Sequence, residues 1–122
     1  MRVLHIVPTY VPAYRHGGPI LSDHNLNKKL VELGTDVTVY ATDINGRDSL
    51  SVSLEKEVVV DGVKVFYFPS RGFFRKWSYS PQLHKKIKDT VKNFDIIHIT
   101  SVFLAASTLG ANYARKFKKP YI

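Results

Sequence analysis

Tyr14, Arg15, His16, Gly17 and Gly18 form the densest run of chemistry-bearing residues in this 122-residue chain. Two adjacent glycines let a ligand or a second backbone approach without interference from a Cβ. Where such a pair opens a helix, the unpaired N–H groups and the helix dipole attract a phosphate or another anion. A tight turn uses the same two residues, so the pair alone leaves both readings open. Arg15 offers a planar fork for phosphate or carboxylate, and His16 can titrate near neutral pH. The dinucleotide fingerprint is absent, because no glycine follows three residues after Gly18, and so is a phosphate loop ending in Gly-Lys-Ser/Thr.

A second group is Thr100 and Ser101, two hydroxyls at the end of an apolar run. They can hydrogen-bond a ligand, and Ser101 can equally cap a following helix. His5 and His98 each sit inside an apolar strand pattern, which points to buried, hydrogen-bonded rings. His16 and His24 are eight residues apart, and no His/Asp/Glu cluster has metal-ligand spacing. No Gly-x-Ser-x-Gly nucleophile elbow occurs. No metal and no cofactor are expected. Arg71-Gly72-Phe73-Phe74-Arg75-Lys76-Trp77 mixes bases with large rings. Phe73, Phe74, Arg75, Lys76 and Trp77 are candidates for membrane contact or for stacking on single-stranded nucleic acid. The slightly favoured alternative packs Phe73, Phe74 and Trp77 beneath the loop as a satellite core.

Positioning these residues requires an ordered set of elements. Arg2–Val7 reads as a strand apolar on both faces, the habit of a covered parallel sheet. Pro8 and Pro12 impose an extended loop. Pro19 suits the first turn of a helix. Leu26, Leu30 and Leu33 supply its apolar stripe and Gly34 its end. Val37, Val39 and Ala41 mark a second strand, and residues 44–56 read as a polar loop. Val58–Val60, Asp61-Gly62 and Val63–Phe68 form a hairpin signature. Ser80-Pro81 caps a helix with Leu83, Ile87 and Val91 on its inner face. Ile96–Thr100 is another buried strand. Phe103–Phe117 is a helix with Leu104, Ala111 and Ala114 on one side, and Tyr121-Ile122 starts a further strand. The alternation predicts an α/β fold: a Rossmann-like parallel sheet flanked by helices, with an inserted β-hairpin. On such sheets ligands bind at the carboxyl ends of the strands, which puts the glycine loop and Thr100-Ser101 at one cleft.

The totals narrow the partners. Eighteen Lys and Arg against ten Asp and Glu give a net charge of +8, which favours anions, anionic lipid or nucleic acid. Lys85, Lys86, Lys88, Lys92, Arg115, Lys116, Lys118 and Lys119 fall near helix ends, where a solvated basic face is the favoured reading. No apolar run approaches the ~20 residues that span a bilayer. The chain has no cysteine, which is compatible with a reducing compartment.

Val3-Leu4-His5-Ile6-Val7-Pro8 is followed by His16-Gly17-Gly18-Pro19. Then come Leu26, Asn27, Leu30 and Leu33-Gly34 before Asp36-Val37-Thr38-Val39, and later Asp95-Ile96-Ile97-His98-Ile99. This series resembles the N-terminal domain of retaining glycosyltransferases of the family-four type, which have the GT-B fold. The resemblance implies transfer of a sugar from a nucleotide-sugar donor to a glycan or lipid-linked acceptor with retention and without a metal, in polysaccharide biosynthesis. It implies that Gly17 and Gly18 approach the donor diphosphate. Tyr14, Arg15, His16, Thr100 and Ser101 would then line the acceptor cleft, giving the basic aromatic segment a membrane role. Residues 1–122 would form one acceptor-side domain ending near the start of the strand at Tyr121. By the same resemblance the donor-binding C-terminal domain would lie outside these residues, the isolated chain would be inactive, and the location would be cytoplasmic, peripheral at the inner face of the membrane. Two positions depart from the family pattern: Thr100 replaces a histidine that lines the active site, and Thr35 replaces a histidine after the helix-terminal glycine. The competing expectation is a non-catalytic α/β module for an anionic ligand, with nucleic acid the less favoured partner.

Overall fold

The computed structural model describes residues 1–14, 18–101 and 104–122. In chain order its elements are β1 (Arg2–Ile6), α1 (Gly18–Glu32), β2 (Asp36–Thr42), β3 (Ile44–Asn45), β4 (Asp48–Ser49), β5 (Glu57–Val60), β6 (Val63–Phe68), α2 (Pro81–Thr90), β7 (Ile96–Ile99) and α3 (Ala105–Lys116). The main sheet runs β5-β6-β2-β1-β7. β1 is parallel to β2 and to β7, and β2 is parallel to β6. β5 is antiparallel to β6 through a two-residue turn. Asp61 and Gly62 both carry positive φ there, the geometry whose twist matches a hairpin. Beyond β7 the backbone of residues 120–122 pairs in parallel: Ile97 N–H donates to Pro120 O at 3.0 Å and Ile99 N–H to Ile122 O at 2.8 Å.

Strict alternation along β1 splits the core. Val3 and Val7 join Val37, Val39, Val63 and Val65 beneath α1. Leu4 and Ile6 join Tyr40, Phe68 and Ile97 beneath α2 and α3. The stripe Leu83, Ile87 and Val91 is buried as its spacing predicts. Ser80 Oγ accepts the Leu83 N–H at 3.2 Å, satisfying an orphan donor at the start of α2. Gly34, at φ 92°, ends α1, with Thr35 N–H donating to Leu30 O at 2.9 Å. At Gly110 the reason for glycine is space, since a Cβ there would lie 2.8 Å from Ile6 Cδ1.

Three expectations need correction. Leu26 and Leu33 are not core: they are 44% and 71% exposed, while Ile20, His24 and Asn27 are the buried residues of α1. Leu30 and Val31 pack at the edge of the core. The helix is rotated because polar partners await it on the sheet, as described below. Residues 44–56 are not simply a loop, since β3 and β4 pair antiparallel there, and Ile44 and Leu50 are buried. Ser101 does not cap α3: the cap position is Leu104, which makes no side-chain cap bond. The inner face of α3 is Ala106, Ser107, Gly110 and Ala114, with Leu104 and Ala111 partly buried, and the expected start at Phe103 lies outside the described residues.

Candidate functional site

β1 is the strand from which the chain turns in opposite directions, through α1 to β2 on one side and later to β7 on the other. The ends of such neighbouring strands leave a crevice where helices diverge. A cavity of about 390 Å³ opens there. Pro8 and Thr9 enter from the end of β1, and Thr100 and Ser101 from the end of β7. Pro19, Ile20 and Asp23 close it from the first turns of α1, with Ile44, Arg75, Ser78 and Leu104 completing the wall. Another cavity of the same volume lies between α3 and residues 121–122, reaching Ile99 and Ser101 at the end of β7.

Thr100 and Ser101 therefore meet the start of α1 in one cavity. Ser101 is exposed and holds φ at 77°, an uncommon conformation for a residue with a side chain. Gly18 is the first residue of α1, beside Pro19; a Cβ added to it meets nothing within 4 Å. Among the described residues, none packs against that position. Tyr14 is exposed and stands outside the cavity lining. Arg15, His16 and Gly17 lie outside the described residues.

The face of α1 toward the sheet carries chemistry. His5 of β1 is fully buried and stacks on His98 of β7, its register partner, with ring centroids 4.0 Å apart. His5 Nδ1 is 3.1 Å from Asn27 Oδ1, and His5 Nε2 is 2.7 Å from Thr100 Oγ1. Asn27 Nδ2 donates to the Tyr10 hydroxyl at 3.1 Å, and that hydroxyl lies 2.7 Å from His24 Nδ1. His24 Nε2 reaches Asp61 Oδ2 at 2.8 Å, in the hairpin turn. These contacts satisfy buried polar groups, which is why α1 turns His24 and Asn27 inward. Burial, then the neighbouring His98 charge, lowers the His5 pKa to about 4, against the opposing Asn27 bond. Burial raises the pKa of Asp23, opposed by His98 and Thr100. Asp23, His24, Asn27 and Tyr10 were missed in the sequence. The available signal was polar residues at positions 23, 24 and 27, the spacing of one helix face.

The basic aromatic segment is a surface, which overturns the satellite-core expectation. Residues Gly72–Trp77 form a 3-10 helix with no buried residue. Phe73 is 78%, Phe74 45% and Trp77 47% exposed. The Lys76 ammonium stands 5.6 Å from the Trp77 ring centroid. Arg75 belongs to a different job: its guanidinium donates to the carbonyls of Gly46, Asp48 and Ser70, tying the β3–β4 hairpin to the segment. That removes it from the candidate membrane contacts. Arg71 clamps the buried Asp43 carboxylate at 2.9 and 2.7 Å. No group of three metal-ligating side chains occurs among the described residues. No described helix is long and apolar enough to cross a membrane.

A family model described as Glycosyltransferase Family 4 matches residues 24–122. The chain belongs to glycosyltransferase family 4. No curated protein matches it significantly. The family-4 match takes in Asn27, Thr100 and Ser101 and starts within α1, after the glycine pair. The Rossmann-like α/β fold and the family together give this domain a glycosyltransferase role in general.

Proposed function

We propose that this family-4 domain is the acceptor-side half of a retaining, metal-independent glycosyltransferase of GT-B architecture. Its substrates are a nucleotide-sugar donor and a glycan or lipid-linked acceptor. The observation that carries the reading is the cavity at the carboxyl ends of β1 and β7, which the start of α1 and the hydroxyls of Thr100 and Ser101 share. Gly17 and Gly18 would face the donor diphosphate, at helix amides suited to an anion. Tyr14, Arg15 and His16 precede them on the same loop. A second, donor-binding domain would hold the nucleotide, so the 122 residues alone would not turn over a sugar donor. Phe73, Phe74 and Trp77, with Lys76, would rest the domain on an anionic membrane at its cytoplasmic face.

The test is sugar transfer. Joined to its donor-binding domain, the protein should consume a nucleotide sugar when given an acceptor, and the 122-residue chain should not. Turnover by the isolated chain would overturn the division of labour. Steeply salt-dependent binding to generic nucleic acid would instead favour a non-catalytic anion-binding module.

A further inference from the structure

Six contacts run in series from the hairpin turn to the cleft. They join Asp61 to His24 (2.8 Å), His24 to Tyr10 (2.7 Å), Tyr10 to Asn27 (3.1 Å), Asn27 to His5 (3.1 Å), His5 to Thr100 (2.7 Å) and Thr100 to Asp23 (3.4 Å). Both ends are carboxylates, which accept hydrogen bonds and donate none when ionised. On the cleft side of Asn27, His5 and Thr100 give one hydrogen each along the chain: a neutral imidazole, whose pKa burial lowers to about 4, and a hydroxyl. Two hydrogens cannot fill the three contacts that run from the Asn27 oxygen to Asp23.

The Asn27 amide says where the gap falls. Its nitrogen faces Tyr10 and its oxygen faces His5. Toward the cleft, His5 Nδ1–H donates to Asn27, so His5 Nε2 is bare and takes the Thr100 hydroxyl hydrogen. Thr100 has nothing left to give Asp23, and two acceptors confront each other. That contact is also the longest of the six, at 3.4 Å. Asp23 and Thr100 both line the cavity. Bond direction and contact length thus place the missing donor at the same point, on the cleft wall.

We propose that the Asp23–Thr100 pair is the hydroxyl-recognising end of the cleft, and that a sugar or polyol hydroxyl supplies the missing hydrogen by donating to the Asp23 carboxylate. This rests on the acceptor-cleft reading and names the acceptor chemistry: a neutral hydroxyl donor at Asp23, where a phosphate would meet the carboxylate charge. The buried chain acts as a positioning device. It commits the Thr100 hydrogen to His5 and so keeps the cleft end short of a donor.

The experiment is NMR on the purified protein with methyl α-glucopyranoside as probe, at millimolar concentration. In histidine nitrogen spectra His5 should appear as the Nδ1–H tautomer. The glucoside should shift the Thr100 amide and His5 Nε2, and inorganic pyrophosphate should leave both unmoved. Asp23→Asn provides an internal donor to Thr100 Oγ1. It should weaken the glucoside shifts about tenfold or more while the melting temperature holds or rises. Thr100→Ser, which keeps the hydroxyl, should retain both the tautomer and the shifts. An Nε2–H tautomer at His5, or glucoside shifts that survive Asp23→Asn, would overturn the proposal. Sugar transfer by the two-domain protein that is undiminished in Asp23→Asn would overturn it too, and would leave the glycosyltransferase reading standing.

Discussion

Acidification should destabilise this fold through His5 before carboxylate protonation becomes the main effect. The ring is fully buried between Asn27 and Thr100 and stacked on His98. Its pKa is lowered from 6.5 to about 4. Between those values the unfolded chain binds a proton that the folded chain refuses, so stability rises with pH across that window. The contribution is complete above the unfolded value and is lost as the pH falls toward the folded one. At about 1.4 kcal/mol for each unit of difference, the loss is about 2 kcal/mol by about pH 5 and about 3 kcal/mol by about pH 4. Asp23 works in the opposite direction. Its raised pKa lets the fold take up a proton before the unfolded chain does, which offsets part of the loss at the acid end. Urea unfolding followed by circular dichroism from about pH 7 to about pH 5 reads this directly. His5→Gln has no titrating ring and should flatten the dependence, whatever its own stability. Wild-type stability that is level across that range, or an equal slope in His5→Gln, would refute the reasoning.

Three substitutions test other parts of the account. Gly110→Ala puts a methyl 2.8 Å from Ile6 Cδ1 and 3.3 Å from Ile99 Cδ1; overpacking there should cost about 1–3 kcal/mol in urea unfolding. Arg71→Ala strips the buried Asp43 carboxylate of its ion pair and leaves it the Ser70 N–H. With the arginine half exposed, the expected loss is about 2 kcal/mol, and Asp43→Asn combined with Arg71→Ala should recover part of it. Trp77→Ala should change stability by less than about 0.5 kcal/mol yet weaken sedimentation with anionic vesicles; unchanged sedimentation would remove the membrane role.

Elements whose local chemistry and burial agree were legible from sequence. Ser80-Pro81 with Leu83, Ile87 and Val91 combines a cap, a first-turn proline and an apolar stripe, and the helix forms as read. Asp61-Gly62 specifies its hairpin because both residues tolerate positive φ. α1 was misread because its leucines compete with its polar residues. Leu26, Leu30 and Leu33 mark one flank, but burying His24 and Asn27 satisfies Tyr10 and His5, groups supplied from other segments. Polar residues at 23, 24 and 27 mark one face of α1, but their contacts with residues 5, 10 and 100 leave no periodic trace, whereas Thr100 was legible from its place at a strand end. The aromatic segment was ambiguous for a similar reason. Its composition suits a small core or a surface, and Arg75, which ties it to the β3–β4 carbonyls, decides the matter.

The central claim is that the carboxyl ends of β1 and β7 form one wall of a sugar-transfer site. Chemical-shift mapping of the protein with UDP-glucose and GDP-mannose tests it most directly. The account predicts weak binding, with shifts concentrated at Gly18, Ile20, Thr100 and Ser101. Shifts confined to the basic faces of α2 and α3, or none at the strand ends at any concentration, would contradict it.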